Sequence, residues 1–244
     1  MASILLAPST TPRSRLVRRH SPLVRLCHAI NAIAFVILLM SGLQIFNAHP
    51  ALNFGADTNF DHAWYSLEPN GFPYWATLPG IQDLATGRRW HFFFAWVLVL
   101  NGAVYLVNLF VSGHRRDLAV TGRDLRHIPR DVLDHIRLRF PKGEAALRYN
   151  VLQKLAYLSV VLAIPVLVLA GLTMSPAMDA RFPFLLDLFG GRQSARTIHF
   201  LLAAYLVGFL FVHLVMVVLS GPLNNIRSMI TGRYRIVEED HETR

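Results

Sequence analysis

Four apolar blocks constrain this chain more than any other feature. They read "LCHAINAIAFVILLMSGLQIF" at 26–46, "WHFFFAWVLVLNGAVYLVNLFV" at 90–111, "VLQKLAYLSVVLAIPVLVLAGLTM" at 151–174 and "TIHFLLAAYLVGFLFVHLVMVVLS" at 197–220. Each has roughly the twenty residues that a helix needs to cross a hydrocarbon core. No Asp, Glu or Arg interrupts them, and Lys154 lies near a block end where its stem can reach the interface. Pro165 predicts a kink in the third block. Only 16% of the residues are charged and 53% are hydrophobic, whereas a soluble domain carries about a quarter charged residues. The spacing predicts an all-α membrane protein, a four-transmembrane-helix bundle.

The basic residues then orient it. Nineteen of the twenty-four Lys and Arg fall in the tail 1–25, the loop 112–150, Lys154 and the tail 221–244. The other five, Arg88, Arg89, Arg181, Arg192 and Arg196, fall near the loops 47–89 and 175–196. The positive-inside bias predicts N- and C-termini in the cytoplasm and the loops 47–89 and 175–196 outside. The net charge of +9 is then a membrane-facing charge set against anionic lipid, and no nucleic acid is expected as a partner. The first span is expected to act as its own insertion signal. A single cysteine, Cys27, excludes an intramolecular disulfide, and without a CxxCH motif covalent haem attachment is not indicated. In the cytoplasmic loop, Leu125, Ile128, Val132, Leu133 and Ile136 recur at helical spacing and predict an amphipathic surface helix; His114, His127 and His135 read as solvated. The aromatic-rich stretch "AWYSLEPNGFPYWATLPG" reads as an ordered segment at the external interface.

Four histidines, His28, His91, His199 and His213, lie in or at the ends of the spans. An ionisable side chain at membrane depth marks a functional site by default. His199 and His213 are fourteen residues apart, about 21 Å along a helix and only about 40° apart in azimuth. One mononuclear site cannot use both. With alternating helix directions, His28 matches His213 at the inner depth and His91 matches His199 at the outer depth. Two imidazoles are too few for a zinc site but suffice for a haem iron, because the porphyrin supplies the other four ligands. The expected cofactors are two b-type haems. Gly42 and Gly102 lie on the histidine faces of the first and second spans, where glycine would leave room for a porphyrin. Arg88, Arg89, Arg192 and Arg196 outside, and Arg25 inside, are candidate propionate partners.

The matched elements "VRLCHAINA" leading to Ser41-Gly42, "RRWH" opening the second span, "YNVLQKLAYL" and "GLTMSP" bounding the third, and His199 and His213 in the fourth resemble the prokaryotic dihaem cytochrome b561 family. That family includes the cytochrome b subunits of nickel–iron hydrogenases and formate dehydrogenase. The resemblance covers nearly the whole chain, with Ala29 standing where many relatives carry Trp. The third-span stretches look most like the thiosulfate reductase cytochrome b branch. The resemblance implies an electron-transfer subunit in the bacterial inner membrane, with quinone near His28, Asn31 and His213 and a periplasmic redox partner, such as a molybdopterin oxidoreductase, at the outer end.

Other readings remain open at this point. A hydrogenase cytochrome b subunit or a superoxide:quinone oxidoreductase would use the same haems. A proton or metal-ion transporter would use the histidines as a relay, and predicts broken helices with polar residues at mid-membrane. A cofactor-free membrane anchor leaves the histidines unexplained.

Overall fold

The chain folds around four long helices whose apolar surfaces are left outward. A computed structural model of the chain describes residues 14–59, 61–113, 118–139, 143–147 and 149–237. His114, Arg13 and Arg244 lie outside the described residues. In chain order the elements are β1 (Ser14–Arg18), α1 (Pro22–Asn47), β2 (Ala51–Leu52), β3 (Tyr65–Ser66), a 3₁₀ turn (Tyr74–Ala76) and α2 (Leu84–Val111). There follow α3 (Gly122–Ile136), a 3₁₀ turn (Gly143–Leu147), α4 (Val151–Thr173), α5 (Pro176–Arg181), α6 (Phe184–Phe189), α7 (Arg192–Leu219), α8 (Pro222–Thr231) and β4 (Arg233–Val237).

α1, α2, α4 and α7 are the four spans, with mean hydropathies of 2.0 to 2.6 over their most apolar stretches. In those stretches at most 11% of residues are buried within the protein. Apolar surface of that extent is stable only against lipid. α1, α2 and α7 begin before their apolar blocks because their starts are set by caps. Asp83 accepts from the Thr86 amide at 3.0 Å and so starts α2 six residues before Trp90. Hydrogen bonds from Thr86 hold the Asp83 carboxyl below the usual carboxylate range. Ser21 and Asn150 cap α1 and α4 in the same manner. α4 stays continuous through Pro165.

Packing produces two hairpins, α1 on α2 and α4 on α7, while the hairpins make few close backbone contacts with each other. Small residues let the backbones approach within each hairpin. Cys27, Ala34 and Ser41 are buried one heptad apart on α1, and Ala163 and Ala170 are buried one heptad apart on α4. Asn101, buried on α2, donates to the Cys27 carbonyl at 2.8 Å and to Asn31 Oδ1 at 2.7 Å. Gln44, also buried, donates to the Ile81 carbonyl at 2.7 Å.

The segment between α1 and α2 fastens the hairpins together at one end. The Gly55 carbonyl accepts from the amides of Gln193 and Ser194 at 3.0 and 3.2 Å. It thereby supplies the N-terminal cap that Gly191 has no side chain to provide. The Ser194 hydroxyl accepts from the Gly55 amide at 2.8 Å, and Thr197 donates to the Asn53 carbonyl at 2.5 Å. At the other end β1 and β4 pair antiparallel, so the two tails are clasped into one ribbon. The tail reading did not include this ribbon, which is too short to show a pattern before its two strands meet.

The amphipathic helix expected between the second and third spans is α3, with Leu125, Val132, Leu133 and Ile136 exposed along it. His127 and His135 are on it. It docks onto the start of α4 through Lys154 and Asp124 at 3.1 Å and through Asp131, which accepts from the Val151 amide at 3.2 Å. Hydrogen bonds from Thr121, with Lys154 adding to them, hold the Asp124 carboxyl down at about 2. The anchoring carboxylate therefore stays ionised until the pH falls through about 2.

The α1–α2 seam gives a direct test. A Cβ at Gly87 would meet Gln44 Cγ at 2.9 Å, whereas one at Gly208 on α7 would meet nothing within 4 Å. Gly87→Ala is expected to lower stability by about 1–3 kcal/mol, and Gly208→Ala to leave it unchanged or raise it. Thermal unfolding of both variants in detergent checks the difference.

Candidate functional site: two facing histidine pairs

Three of the four long helices carry histidines, and α4 carries none. His28 is in the second turn of α1, His91 in the second turn of α2 and His199 in the second turn of α7, with His213 two turns before the end of α7. Because α7 carries two histidines about 21 Å apart, it is shared between two sites. The His91 and His199 rings face each other with centroids 6.1 Å apart and planes at 61°. The His28 and His213 rings do so at 6.4 Å and 54°. All four residues expected from the spacing are therefore brought together in the expected pairs.

The separation fits a metal between the rings. An imidazole nitrogen binds a transition metal at about 2 Å, and the ring centre lies roughly 1 Å behind it, so two trans imidazoles have centres about 6 Å apart. No group of three or more His, Cys, Asp or Glu converges among the described residues. A donor set of two opposed imidazoles suits an iron whose equatorial ligands come from a macrocycle. The light contact between the hairpins leaves that macrocycle a place to enter.

One pair is held by backbone carbonyls that glycine uncovers. His199 donates through Nδ1 to the Leu167 carbonyl at 2.8 Å. Four residues on from Leu167 is Gly171, where a Cβ would stand 3.1 Å from His199 Cε1 and 3.2 Å from Nδ1. Across the pair, the Leu38 carbonyl lies within hydrogen-bonding reach of the His91 ring. Four residues on from Leu38 is Gly42, where a Cβ would stand 3.3 Å from His91 Cε1. Ser41 adds a second contact: its hydroxyl donates to the Ile37 carbonyl at 2.6 Å and so accepts from His91 Nδ1 at 3.1 Å. In both rings Nδ1 carries the proton, which leaves the Nε2 lone pair free for a metal. What stands against Gly42 is thus an imidazole. At Gly102, a Cβ would meet nothing within 4 Å.

The other pair is set differently. Phe209 stacks on His213 at 6.0 Å and 11°. Asn31 is on α1 one turn beyond His28, and its Oδ1 accepts from Asn101. Leu167 and Asn101 were not singled out by sequence reasoning, and Ser41 and Gly171 entered only within matched motifs, without a role. The available signal was a glycine opposite a histidine on a neighbouring span, which spacing within one helix does not reveal.

The candidate arginines divide by partner. Arg192 bonds Asp179 at 2.5 Å. Arg196 donates to the His49 carbonyl and lies over the Phe46 ring at 5.6 Å. Arg25 donates to the Met229 carbonyl at 3.0 Å and to the Ile230 carbonyl. Arg88 and Arg89 are exposed on the first turns of α2, with Arg88 over the Phe92 ring at 5.5 Å. Asn53 at the same end is buried, and its amide Nδ2 has no hydrogen-bond partner.

Four spans with opposed imidazoles between two hairpins define a membrane cytochrome of the b type. The chain belongs to the prokaryotic cytochrome b561 family, whose model matches residues 19–232. It is similar to a chain of Azospira oryzae that carries the provisional name protein-methionine-sulfoxide reductase subunit YedZ1. The two are 34% identical over 200 residues, covering 82% of this chain and 90% of the relative. Membership makes the chain a haem-binding, quinone-linked electron-transfer subunit rather than a stand-alone enzyme, placed as a multi-pass protein in the inner membrane.

Valine at Gly42 or Gly171 would push into an imidazole and its carbonyl partner. Each variant is expected to lose cofactor affinity about 10–100-fold at the His91–His199 pair alone. Gly208→Val, on the opposite face of α7, is expected to lose none. Haem titration of the purified variants reads the difference.

Proposed function

We propose that the chain is a dihaem cytochrome b carrying electrons across the bilayer, from quinol to a periplasmic oxidoreductase that reduces methionine sulfoxide in proteins. His28 with His213 is the inner site and His91 with His199 the outer. The observation that carries this reading is the two imidazole pairs, each at a bis-imidazole separation and about 21 Å apart along α7. Haem iron supplies reversible one-electron chemistry at each pair. The residues of the chain do the rest. The Leu167 carbonyl and the Ser41 hydroxyl hold the outer imidazoles in the ligating tautomer, and Phe209 orients His213. Gly102 leaves space at the inner level. Arg88, Arg89 and Asn53 are the groups at the outer end best placed by their partners to receive propionates, and Arg25 is the inner candidate.

Orientation follows from the charge count. The end holding His28, His213 and the β1–β4 ribbon bears nineteen of twenty-four Lys and Arg, so the tails 1–25 and 221–244 and the loop 112–150 are cytoplasmic, with 26–220 as the haem-binding domain. Quinone then approaches the inner pair near Asn31. The partner docks on the external segments 47–89 and 175–196. Its assignment rests on the name of the Azospira oryzae relative; a molybdopterin oxidoreductase is the expected class. The stoichiometry closes: reducing one sulfoxide takes two electrons and two protons and gives a thioether and water, and oxidising one quinol supplies two of each.

Two experiments test the assignment. His199→Ala and His213→Ala are each expected to keep about half of the haem, with quinol still reducing the remaining haem only in His199→Ala. In proteoliposomes, quinol-reduced protein should be reoxidised on adding a periplasmic methionine-sulfoxide reductase together with its substrate, and not by either alone. Failure of reoxidation with the complete system would rule out this partner.

A further inference from the structure

A cavity lies where β1, the start of α1 and β4 meet. Its volume is about 450 Å³, and its wall includes Leu16, Arg18, His20, Arg25, Gly232 and Arg233. Among the described residues, no Asp or Glu lines it. Pro22, the first residue of α1, is also on the wall, so the positive end of a 26-residue helix adds to the guanidinium charges.

The ribbon makes this charge hard to explain without a ligand. Arg18 and Arg233 are direct cross-strand partners, and side chains opposite each other share a face of the ribbon. Like charges so placed destabilise the pairing. Among the described residues, the ion pairs engage Arg15, Arg130, Lys154 and Arg192, and neither Arg18 nor Arg233. Arg25 is hydrogen-bonded to the last carbonyls of α8, whose negative end offsets part of its charge but not that of Arg18 and Arg233.

We propose that this cavity binds the phosphate of an anionic phospholipid headgroup. Opposed guanidiniums are suited to gripping phosphate oxygens in bidentate fashion. The source is a lipid because the cavity sits where an apolar span begins, at headgroup depth. Leu16, Leu23, Leu26 and Leu223 are exposed at the same end and offer surface for acyl chains. A bound headgroup would join the N-terminal tail, α1 and the C-terminal ribbon through one shared anion.

The test uses the purified holoprotein in neutral detergent, with thermal unfolding followed on addition of phosphatidylglycerol, phosphatidylcholine or inorganic phosphate. Phosphatidylglycerol is expected to raise the midpoint by about 5 °C, and the other two to leave it in place. Arg18→Gln and Arg233→Gln should lose most of that rise, whereas Arg227→Gln, at a half-buried cation on α8 outside the cavity, should keep it. Without lipid, the two cavity variants should unfold no lower than the parent, because they relieve the like-charge pair. An equal rise with phosphatidylcholine, an equal rise with inorganic phosphate, or an equal loss in Arg227→Gln would each overturn the proposal. Should neither cavity variant fold, native mass spectrometry of the parent protein decides. One retained phosphatidylglycerol is expected, and none retained would refute the site.

Discussion

The hydrogen bond from His199 Nδ1 to the Leu167 carbonyl, at 2.8 Å, fixes more of this molecule than its size suggests. A carbonyl inside a helix is normally screened by the side chain four residues on. Here that residue is Gly171, and the histidine ring occupies the place a Cβ would take. Across the pair Gly42 likewise lies against the His91 ring, whose Nδ1 meets the Ser41 hydroxyl at 3.1 Å. In hydrocarbon an unsatisfied imidazole N–H is costly. The two glycines let each ring settle that cost against a neighbouring helix while its second nitrogen faces across the gap. Ligand preparation and helix packing are therefore one event: α2 closes on α1, and α7 on α4, through the side chains that face the cofactor.

The remaining architecture serves to keep the two hairpins at a set distance. Buried small residues close each hairpin internally, and the hairpins touch lightly where a macrocycle would lie. Their ends are fastened instead. At one end Gly55 caps α7 and Thr197 bonds Asn53. At the other, β1 pairs with β4 and Arg25 bonds the last carbonyls of α8. Fastening the hairpins at their ends leaves the facing imidazoles between them as the main link in the middle of the bundle.

Much of this was legible in the sequence. The four spans, their lengths and the amphipathic α3 follow from apolar runs and periodicity, which are local. The pairing of the histidines was also legible, because fourteen residues on one helix and alternating helix directions leave one consistent match by depth. The partners of the imidazoles were not. Leu167 and Leu38 act through backbone carbonyls, which carry no residue signature, and Gly171 matters only once α4 lies against α7. Gly42 shows the same limit from the other side: its helical face could be read, but not that the group against it is a ring rather than a cofactor. The helix ends moved outward because Asp83 and the Gly55 carbonyl, both outside the apolar blocks, set the caps. Arg192 and Arg25 were legible as cations near the sites; that they are engaged with Asp179 and with helix carbonyls depends on where α5 and α8 fold back.

The central claim is that two imidazole pairs each hold one haem iron. The most direct measurement is haem content per chain of the purified protein, by pyridine haemochrome against protein mass, with the reduced spectrum taken on the same sample. The account predicts about two b-type haems per chain, both six-coordinate and low-spin. A chain that binds one haem, or none when porphyrin is abundant during expression, would contradict it.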